Sequence, residues 1–398
     1  MTNVVLNSAR YSDLFKMATK NDILRPNNGS IDGIKYPVAV ELLHATPLGT
    51  VTLDGGSAEY EIANSGDHLG EIFLPYTLTA LTSGNYCANH GLAMIETLNI
   101  TCGGYTILNV KKGENLVESV RHNLPNDVQT ALLTMAGGAT PASGPLVCPI
   151  ITPWSRLSFG WNPHTPTIPL HLLGSNIRIK MTFKSSADQL AAGASGTAVF
   201  TYQPLLYYQN YITTQAQKDE EIINSSKWFM KCNLFDAIDP VTATTATDTT
   251  ANITSFLNDY SEFIIFAKTV ANYTTNQVYF TLSQISTRVK IEFDGKLLMD
   301  IYDGARDLTQ FIDYYNLINS GQLVIDSNIV RIPFSYKSTP EEKYVGYYGG
   351  LKGDSVKTIS ITVHHTLGAD ALIFVLGIKH AILRIEKGKL MADLAREN

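Results

Sequence analysis

The chain has 398 residues, of which 44% are hydrophobic and 17% are charged, and its formal net charge is −6. This length suits two domains of about 200 residues each better than a single core. The apolar content excludes a disordered chain, and the mild negative charge argues against a nucleic-acid partner held by a basic face. The four cysteines form no CxxC pair, so we expect all four to be reduced.

Residues 1–35 are predicted to form a helix and a polar arm. Apolar side chains recur at helical spacing within residues 8–20, which is typical of a helix with one buried face. The first residues contain no charged segment followed by an apolar run, so we expect no signal peptide. The most apolar segment, 371–378, is well short of the roughly 20 residues that a membrane-spanning helix needs. We therefore expect a soluble protein that is made inside a cell.

The pattern from residue 36 to residue 212 predicts β-strands, because apolar and polar residues alternate in short runs between turn residues. The predicted strands are 38–43, 50–53, 58–62, 69–78, 98–102, 105–108, 155–161, 176–183 and 197–211. A short amphipathic helix is predicted at 113–122 and a loop at 136–145. Next comes a predicted connector, 213–249, which contains a polar helix at 215–223 and a joining strand at 227–235. It ends in a Thr-rich stretch, 239–250, that we predict to be a surface loop.

One predicted hairpin occurs twice in the chain. The segment Leu98–Leu108 alternates apolar and polar residues around a Gly-Gly turn, and Val289–Met299 repeats that pattern 191 positions later. Glu71 and Glu262 are separated by the same 191 positions. The spacing predicts that one module is duplicated.

Further segments match in the same order at drifting spacing, as expected if loops vary in length. The matched pairs are 113–122 with 307–315, 157–161 with 332–336, 177–181 with 359–363, and 198–202 with 372–376. The alternative is that any two β-rich halves look alike in short windows, but the conserved order of about six elements favours duplication. We therefore predict an all-β chain of two consecutive eight-stranded antiparallel jelly rolls, at 36–212 and 250–398, with short helices in loops and at the N-terminus.

No catalytic motif is present in the sequence: it contains no GxSxG elbow, HExxH, P-loop or strand-associated GxGxxG. His164 and His171 lie seven positions apart. His364 and His365 are adjacent at a strand end, where neighbouring side chains point to opposite faces. We expect no metal site at either pair, no cofactor and no catalytic residue.

Two carboxylate pairs, Glu59 with Glu61 and Asp300 with Asp303, are predicted to be solvated surface groups rather than the paired acids of a glycosidase. The C-terminal region carries a loose group of basic residues offset by nearby acids. We predict that it is an ordinary solvated helix. The basic residues are Lys379, Arg384, Lys387, Lys389 and Arg396, and the acids are Glu386, Asp393 and Glu397.

Several blocks of the chain resemble one family. The apolar strand and Pro-rich run at 146–154, the block 157–164 with its Asn-Pro turn, and the strand with alternating basic residues within 168–183 are similar to segments of the double-jelly-roll major capsid proteins. The hairpin followed by a helix resembles their first jelly roll, and 374–384 resembles their final strand. The family occurs in large eukaryotic DNA viruses, virophage-like elements, tectivirus-like phages and adenoviruses. The resemblance covers most of residues 36–385.

The resemblance implies a non-enzymatic major capsid protein that is located in the virion. Such a protein is expected to form homotrimers, which act as pseudo-hexagonal capsomers of an icosahedral shell. The expected partners are neighbouring capsomers, penton proteins and minor capsid proteins. The helix at 8–20, with a net charge of +2 over residues 1–20, is expected to face the particle interior, where it bridges neighbouring trimers or contacts an internal lipid membrane. The alternative is packing of this helix on its own jelly roll.

A second functional class stays open from the sequence. A two-domain β-sandwich could be a carbohydrate-active enzyme or a lectin, with Trp154 and Trp161 stacking on sugar rings. Such proteins are usually exported, and no export signal is expected here. The other reading of the two tryptophans is that they belong to the core or to an interface.

Overall fold

A computed structural model of the protein describes most of the chain. The described residues are 39–123, 126–139, 141, 143–155, 167–191, 193–223, 225, 228–243, 248–253, 260–269, 288–302, 329–334, 358–366 and 371–394. The helix predicted at 8–20, the helix predicted at 307–315 and nearly all of the strand predicted at 155–161 lie outside these residues.

The first half of the chain forms a sandwich of two antiparallel sheets. Its strands are β1 (Ala39–Ala45), β2 (Ser57–Ile62), β3 (His68–Leu78), β4 (Ile95–Cys102), β5 (Tyr105–Lys111), β6 (Gly144–Ile150), β7 (Ile168–Pro169), β8 (Ile177–Phe183) and β9 (Leu206–Ile212). Sheet 1a has the order β1-β9-β3-β6, with β7 added beside β3, and sheet 1b has the order β2-β8-β4-β5. Apart from the β4–β5 hairpin, strands adjacent in each sheet are distant in sequence, which is the Greek-key crossing of a jelly roll.

The second half forms a sandwich with the same topology. Its strands are β10 (Phe229–Ala237), β11 (Val241–Thr242), β12 (Asp248–Ile253), β13 (Tyr260–Thr269), β14 (Arg288–Phe293), β15 (Lys296–Tyr302), β16 (Ile329–Pro333), β17 (Ile359–His364), β18 (Ala371–Glu386) and β19 (Lys389–Leu394). Sheet 2a has the order β10-β18-β13-β16 and sheet 2b the order β12-β17-β14-β15. The prediction of two jelly rolls is confirmed. β10 and β11 lie in the predicted connector, but both pair with β18, so we assign them to the second sandwich.

Helices occur between the strands and between the sandwiches. They are α1 (His90–Ala93), α2 (Gly113–Asn123), α3 (Asn126–Met135), α4 (Ser186–Gln189), α5 (Gln215–Ile223) and a 3-10 helix at Leu170–Leu172. The predicted helices at 113–122 and 215–223 are confirmed as α2 and α5. Among the described residues, no helix combines the length and the apolar character needed to cross a bilayer.

The register of strand pairing confirms the duplication. Ile100 lies opposite Ile179, and Ile291, which is 191 positions after Ile100, lies opposite Ile361. A β-bulge follows Ile100 in the β4–β5 hairpin, and a bulge follows Ile291 in the β14–β15 hairpin. Both the partner strands and the local irregularity are therefore repeated at equivalent positions.

The two hairpin turns are also alike. Gly103 and Gly104 have φ values of 55° and 83°, and Asp294 and Gly295 have φ values of 45° and 76°. Positive φ at both central residues is the backbone of a two-residue turn that matches strand twist. The predicted hairpins are therefore confirmed, and the structure shows that both have the same type of turn.

Four of the predicted secondary-structure elements are wrong. β12 falls partly in the predicted loop 239–250, because its buried positions carry small residues such as Thr249 and Ala251 that weaken the alternation of large apolar side chains. Residues 50–53 are not a strand, although Val51 is buried and its N–H donates to Gln203 Oε1 at 2.8 Å. Within 197–211 only the last part is a strand, β9, while Phe200 makes an isolated bridge to Leu78.

Two of the proposed matches between the halves are displaced for the same reason, which is that short apolar windows resemble one another. Ile72 lies opposite Ile150 on β6, and its equivalent Phe263 lies opposite Ile332 on β16. The counterpart of 332–336 therefore starts at Ile150 and not within 157–161. The pairing of 198–202 with 372–376 fails because only β9, beyond residue 205, forms the strand equivalent to β18.

The final strand expected at 374–384 is confirmed as part of β18, but the predicted C-terminal helix is the fourth error, since β18 and β19 form a hairpin there. Lys387 and Gly388 form its turn with φ values of 51° and 74°. Lys379 is buried in β18, lies 2.5 Å from Asp236 and stands over the ring of Tyr260. The basic residues of this segment are therefore parts of a sheet, and the apolar alternation of the strand outweighs their charge.

All four cysteines are buried thiols without a disulfide bond, as predicted. Cys102 and Cys148 lie in the first sandwich, and Cys232 lies in β10 of the second. Burial raises the pKa of Cys87 to about 11 and raises the pKa of the other three thiols as well. Each thiol therefore acts as a small apolar group of the core.

Candidate functional site

The first candidate surface is the contact between the two sandwiches. Along β13, Phe263 and Ile265 face the core of the second sandwich, whereas Ile264 and Phe266 join the hydrophobic cluster that contains the first sandwich. Sheet 2a is therefore buried on both faces, which explains why its central strand is a continuous apolar run. The ring of Phe266 stacks on that of Phe374 at 4.7 Å between centroids.

A buried ionic cluster lies in this contact. Glu114 lies in the first turn of α2, and its Oε1 is 2.5 Å from Lys184 Nζ and 3.5 Å from Lys268 Nζ of β13. All three side chains are 2% exposed. Burial by itself would raise the pKa of Glu114, but the two ammonium groups outweigh it and hold that pKa at about 2. The carboxylate is ionised and ties one sandwich to the other.

Polar contacts surround the same interface. The Gly174 N–H donates to the Gly388 carbonyl at 2.7 Å, and Lys111 Nζ lies 3.0 Å from the carboxylate of Asp239. Lys389 Nζ stands 5.0 Å from the ring centroid of Tyr105 on β5. The surface that covers sheet 2a is thus formed by the β4–β5 hairpin and helix α2 of the first sandwich.

No described residue of the chain covers the outer face of sheet 1a, and this face is apolar and aromatic. Val40 and Leu42 on β1 are exposed, and they lie opposite Tyr211 and Gln209 on β9, which places all four on one face. Phe73 and Tyr207 stack on the same face with centroids 6.0 Å apart. Exposed apolar faces of this kind mark interaction surfaces.

A second uncovered surface lies on β15. Leu297 is 58% exposed and Leu298 is 46% exposed. Leu298 is equivalent, 191 positions later, to Ile107 of β5, which is only 3% exposed. The apolar edge that is buried between the sandwiches in the first half is therefore open in the second half.

A compact group of titratable side chains lies at one end of the first sandwich. His68 Nε2 and His171 Nε2 lie 2.9 Å and 3.0 Å from Glu221 Oε2. Burial would raise the pKa of Glu221, but the two adjacent imidazoles outweigh burial and hold it below its usual range. By sequence spacing His171 pairs only with His164, which lies outside the described residues. His68 and Glu221 were not predicted as its neighbours, because their distances of 103 and 50 positions from His171 follow no motif spacing.

The other histidine pair behaves as predicted. His364 points outward and its Nδ1 lies 2.7 Å from Asp248 Oδ1, whereas His365 is buried and its Nε2 lies 2.8 Å from Thr249 Oγ1. Adjacent side chains at this strand end therefore face opposite ways, as alternation along a strand predicts.

The described members of the two predicted carboxylate pairs are Glu59, Glu61 and Asp300. Glu59 and Glu61 flank Arg178 on the surface of sheet 1b, at 3.8 Å and 3.1 Å. Asp300 forms two hydrogen bonds with Arg288, at 2.7 Å and 2.5 Å, and Asp303 lies outside the described residues. The described acids of both pairs are thus engaged in surface ion pairs.

Trp154 is fully buried, and its indole N–H donates to the Gly70 carbonyl at 3.1 Å. It is a core residue and is not available for stacking on a sugar. Trp161, the other candidate, lies outside the described residues.

Comparisons with known proteins identify solved structures that share this architecture. A search against protein-family models finds no match, and a search of curated proteins finds no significant one. Solved structures do match over nearly the whole chain. A chain of the PBCV-1 virus capsid has a TM-score of 0.68 at 14% identity, with 92% of this chain and 98% of that chain covered.

Two further structures agree with this match. The Faustovirus major capsid protein has a TM-score of 0.60 at 10% identity and covers 97% of this chain and 99% of its own. The mavirus major capsid protein has a TM-score of 0.55 at 9% identity, with 90% of each chain covered. At these identities the comparisons establish the fold, which is the double jelly roll of these capsid proteins.

Proposed function

We propose that the protein is a non-enzymatic major capsid protein that assembles as homotrimers into the shell of an icosahedral virus. The observation that carries the proposal is the tandem of two topologically identical jelly rolls, which matches viral capsid chains over nearly the full length of both partners. Fold alone does not assign function, so the argument also needs surfaces that suit assembly.

We infer the contact between chains from the contact that the two sandwiches make within one chain. Sheet 2a has its outer face covered by the β4–β5 hairpin and α2, whereas the equivalent face of sheet 1a is open. The β14–β15 hairpin, equivalent to β4–β5, is open as well, with Leu297 and Leu298 exposed. The open face and the open hairpin thus correspond to the two sides of a contact that the chain has already made once.

The two open surfaces lie on different sandwiches, so a head-to-tail contact between copies satisfies both. In this arrangement the hairpin of one copy docks on sheet 1a of the next, near Phe73 and Tyr207. A heterologous contact of this kind closes into a ring when the rotation per step allows it. If sandwiches related by the internal duplication are spaced evenly, three copies give a ring of six sandwiches, which is a pseudo-hexagonal tile.

The remaining partners follow from the same assignment. Such tiles would meet neighbouring capsomers, penton proteins and minor capsid proteins in the virion. The segment 8–20 would lie beneath the shell, against neighbouring trimers or an internal lipid membrane. Deleting residues 1–20 should leave soluble trimers that no longer form shells, and normal assembly by the truncated protein would contradict this role.

The solution mass of the purified full chain tests the proposal. We expect a species near three times the 43.7 kDa chain mass, measured by sedimentation or mass photometry, with six-lobed particles in electron micrographs. A clean folded monomer at nanomolar concentration would refute the trimer.

Matched charge substitutions then locate the interface. Leu298→Glu and Phe73→Glu each place a carboxylate in one half of the proposed contact, and both should yield folded monomers, because burying an unpaired charge is costly. Lys180→Glu on the exposed face of sheet 1b is the control and should remain trimeric. If both interface variants stay trimeric, the head-to-tail contact is wrong even if the trimer exists.

A further inference from the structure

The group formed by His68, His171 and Glu221 has the composition of a metal site. The three residues come from three elements: His68 begins β3, His171 lies in the 3-10 helix, and Glu221 lies in the last turn of α5. Both imidazole Nε2 atoms lie within 3.0 Å of the same carboxylate oxygen. The side chains are 10%, 13% and 21% exposed in that order, so the group is sheltered but reachable from solvent.

The outer ring nitrogens of both histidines are held by the protein. His171 Nδ1 lies 3.2 Å from the Asp67 carbonyl, and since a carbonyl only accepts, Nδ1 carries the proton. His68 Nδ1 lies 3.0 Å from Thr167 Oγ1. Metal-ligating histidines characteristically donate this second N–H to a fixed acceptor, which orients the ring and leaves Nε2 for the ion.

The inner nitrogen of His171 lacks a matching donor. In a neutral imidazole protonated at Nδ1, Nε2 is a lone pair, and here it faces an ionised carboxylate oxygen, which is another acceptor. The buried Nε2 makes no hydrogen bond of acceptable geometry among the described residues, although Glu221 Oε2 is close. A proton on Nε2 would make this contact a hydrogen bond, whereas a metal cation between the two atoms would take both as ligands, and metal titration distinguishes these two states.

The directions of the side chains favour convergence on a common point. The two rings are tilted by 51° with centroids 5.5 Å apart, so they are not stacked. Glu221 Oε1 accepts a hydrogen bond from Gln217 Nε2 at 2.9 Å, which leaves Oε2 for the site. Nearby Asp67 is engaged with Lys218 and with the Thr213 N–H, so it is not a fourth ligand.

We propose that His68, His171 and Glu221 bind one divalent transition-metal ion of the zinc class, with water completing the coordination. Two imidazole nitrogens and one carboxylate oxygen suit Zn²⁺ or Co²⁺. Ca²⁺ and Mg²⁺ prefer oxygen ligands only, and they are expected to bind poorly.

The site would fasten the connecting helix to the first sandwich. None of the residues of α5 is buried, so apolar packing contributes little to its position. Its contacts to the sandwich include the ion pairs of Glu221 with the two histidines and of Lys218 with Asp67. An ion at Glu221 would fix the segment from which the second sandwich departs, independently of trimer formation.

The experiment is a metal titration of the full chain after chelator treatment and dialysis. After Zn²⁺ is added to this metal-free chain, elemental analysis should show about one Zn²⁺ retained per chain. Addition of Co²⁺ should produce visible absorption. The midpoint of thermal unfolding should rise with Zn²⁺ but not with Mg²⁺. Glu221→Gln and His171→Gln should each weaken binding at least about tenfold. Glu220→Gln, the same change one residue earlier on the helix, is the matched control and should bind like the parent chain.

The outcomes separate this proposal from the capsid assignment. Failure of the parent chain to retain Zn²⁺ or to shift its thermal midpoint would overturn the site, as would parent-like affinity in Glu221→Gln. The parent measurement decides the question even if a variant does not fold, which circular dichroism would reveal. The solution mass is recorded with Zn²⁺ and with chelator, so a trimer without metal binding, or binding without a trimer, is recognised directly.

Discussion

Sheets 1a and 2a have the same strand order but opposite surroundings. Phe73 on β3 is equivalent to Ile264 on β13, and Pro75 is equivalent to Phe266, each 191 positions apart. The two residues on β13 are fully buried against the first sandwich, whereas those on β3 are only half-buried. Duplicated topology therefore does not imply duplicated environment, since the first sandwich covers only one of the two faces.

The sequences of the two strands record this difference. β3 alternates buried and half-buried residues, as expected for a strand with one face toward a core. β13 carries a continuous run of large apolar residues, because both of its faces are buried in the single chain. An open face that still carries Val40, Leu42 and Phe73 is intermediate between these patterns, and this is typical of a surface that another subunit covers.

The largest expected effect on stability comes from truncating a side chain on the covered face of sheet 2a. Phe266→Ala should lower the free energy of unfolding by about 3–5 kcal/mol, because the cavity lies between two packed sandwiches. Phe73→Ala, on the open face, should cost less than about 1 kcal/mol in the isolated chain. Urea unfolding at one fixed low chain concentration measures both, and similar costs would mean that the two faces do not differ as described.

Removing the buried charge of Glu114 should have a nearly equal effect. Glu114→Gln removes the carboxylate that lies 2.5 Å from Lys184 Nζ and 3.5 Å from Lys268 Nζ, and loss of one partner in a buried pair costs about 3 kcal/mol. The matched variant Glu59→Gln affects an exposed ion pair with Arg178 and should cost under about 0.5 kcal/mol. Chemical denaturation at neutral pH compares them, and a small effect at Glu114 would show that the cluster does not hold the sandwiches together.

Acid should weaken the same contact in a predictable range. The folded-state pKa of Glu114, about 2, lies below its value of about 4.3 in the unfolded chain. The stabilisation from its ionised form is therefore complete above about pH 5 and is lost as pH falls toward 2. The difference in unfolding free energy between parent chain and Glu114→Gln should shrink steadily over that range, and a constant difference would exclude this origin.

The smallest expected effects test the duplication itself. Gly104→Ala and Gly295→Ala each place a side chain at positive φ with no heavy atom within 4 Å of the new Cβ, so only backbone strain is added. Each should cost about 1 kcal/mol, and the two costs should agree. Thermal unfolding of the two variants provides the comparison. A clear difference would show that the two turns are supported differently by their sandwiches.

Sequence patterns predicted those parts of the fold that local alternation specifies. The hairpins at Gly104 and Gly295, helix α2 and the 191-residue spacing were all accessible in this way. β12 was missed because Ala251 and Thr249 fill its buried positions, although the same spacing from β2 would have located it. The resemblance located β18 at 374–384, but its partner β19 was not predicted, because the basic residues of that segment were given more weight than its apolar alternation.

The candidate sites were less accessible because they are assembled from distant segments. Glu114, Lys184 and Lys268 span both sandwiches, and nothing in their spacing indicates that they meet. The same holds for the group of His68, His171 and Glu221. These residues lie in β3, the 3-10 helix and α5, and they become neighbours only when the chain folds. The surface nature of Glu59 and Glu61, in contrast, follows from their positions on one strand face.

The four buried cysteine thiols can be used to measure transient opening of the sheets that surround them. A thiol with a raised pKa and no solvent contact reacts with an alkylating reagent only when the surrounding sheet separates. Cys148 lies in sheet 1a and Cys232 in sheet 2a. Their alkylation rates, measured separately by mass spectrometry of the peptides, therefore report how often each half opens. The half whose outer face is already covered within the chain should open more rarely, and assembly should slow labelling chiefly at Cys148.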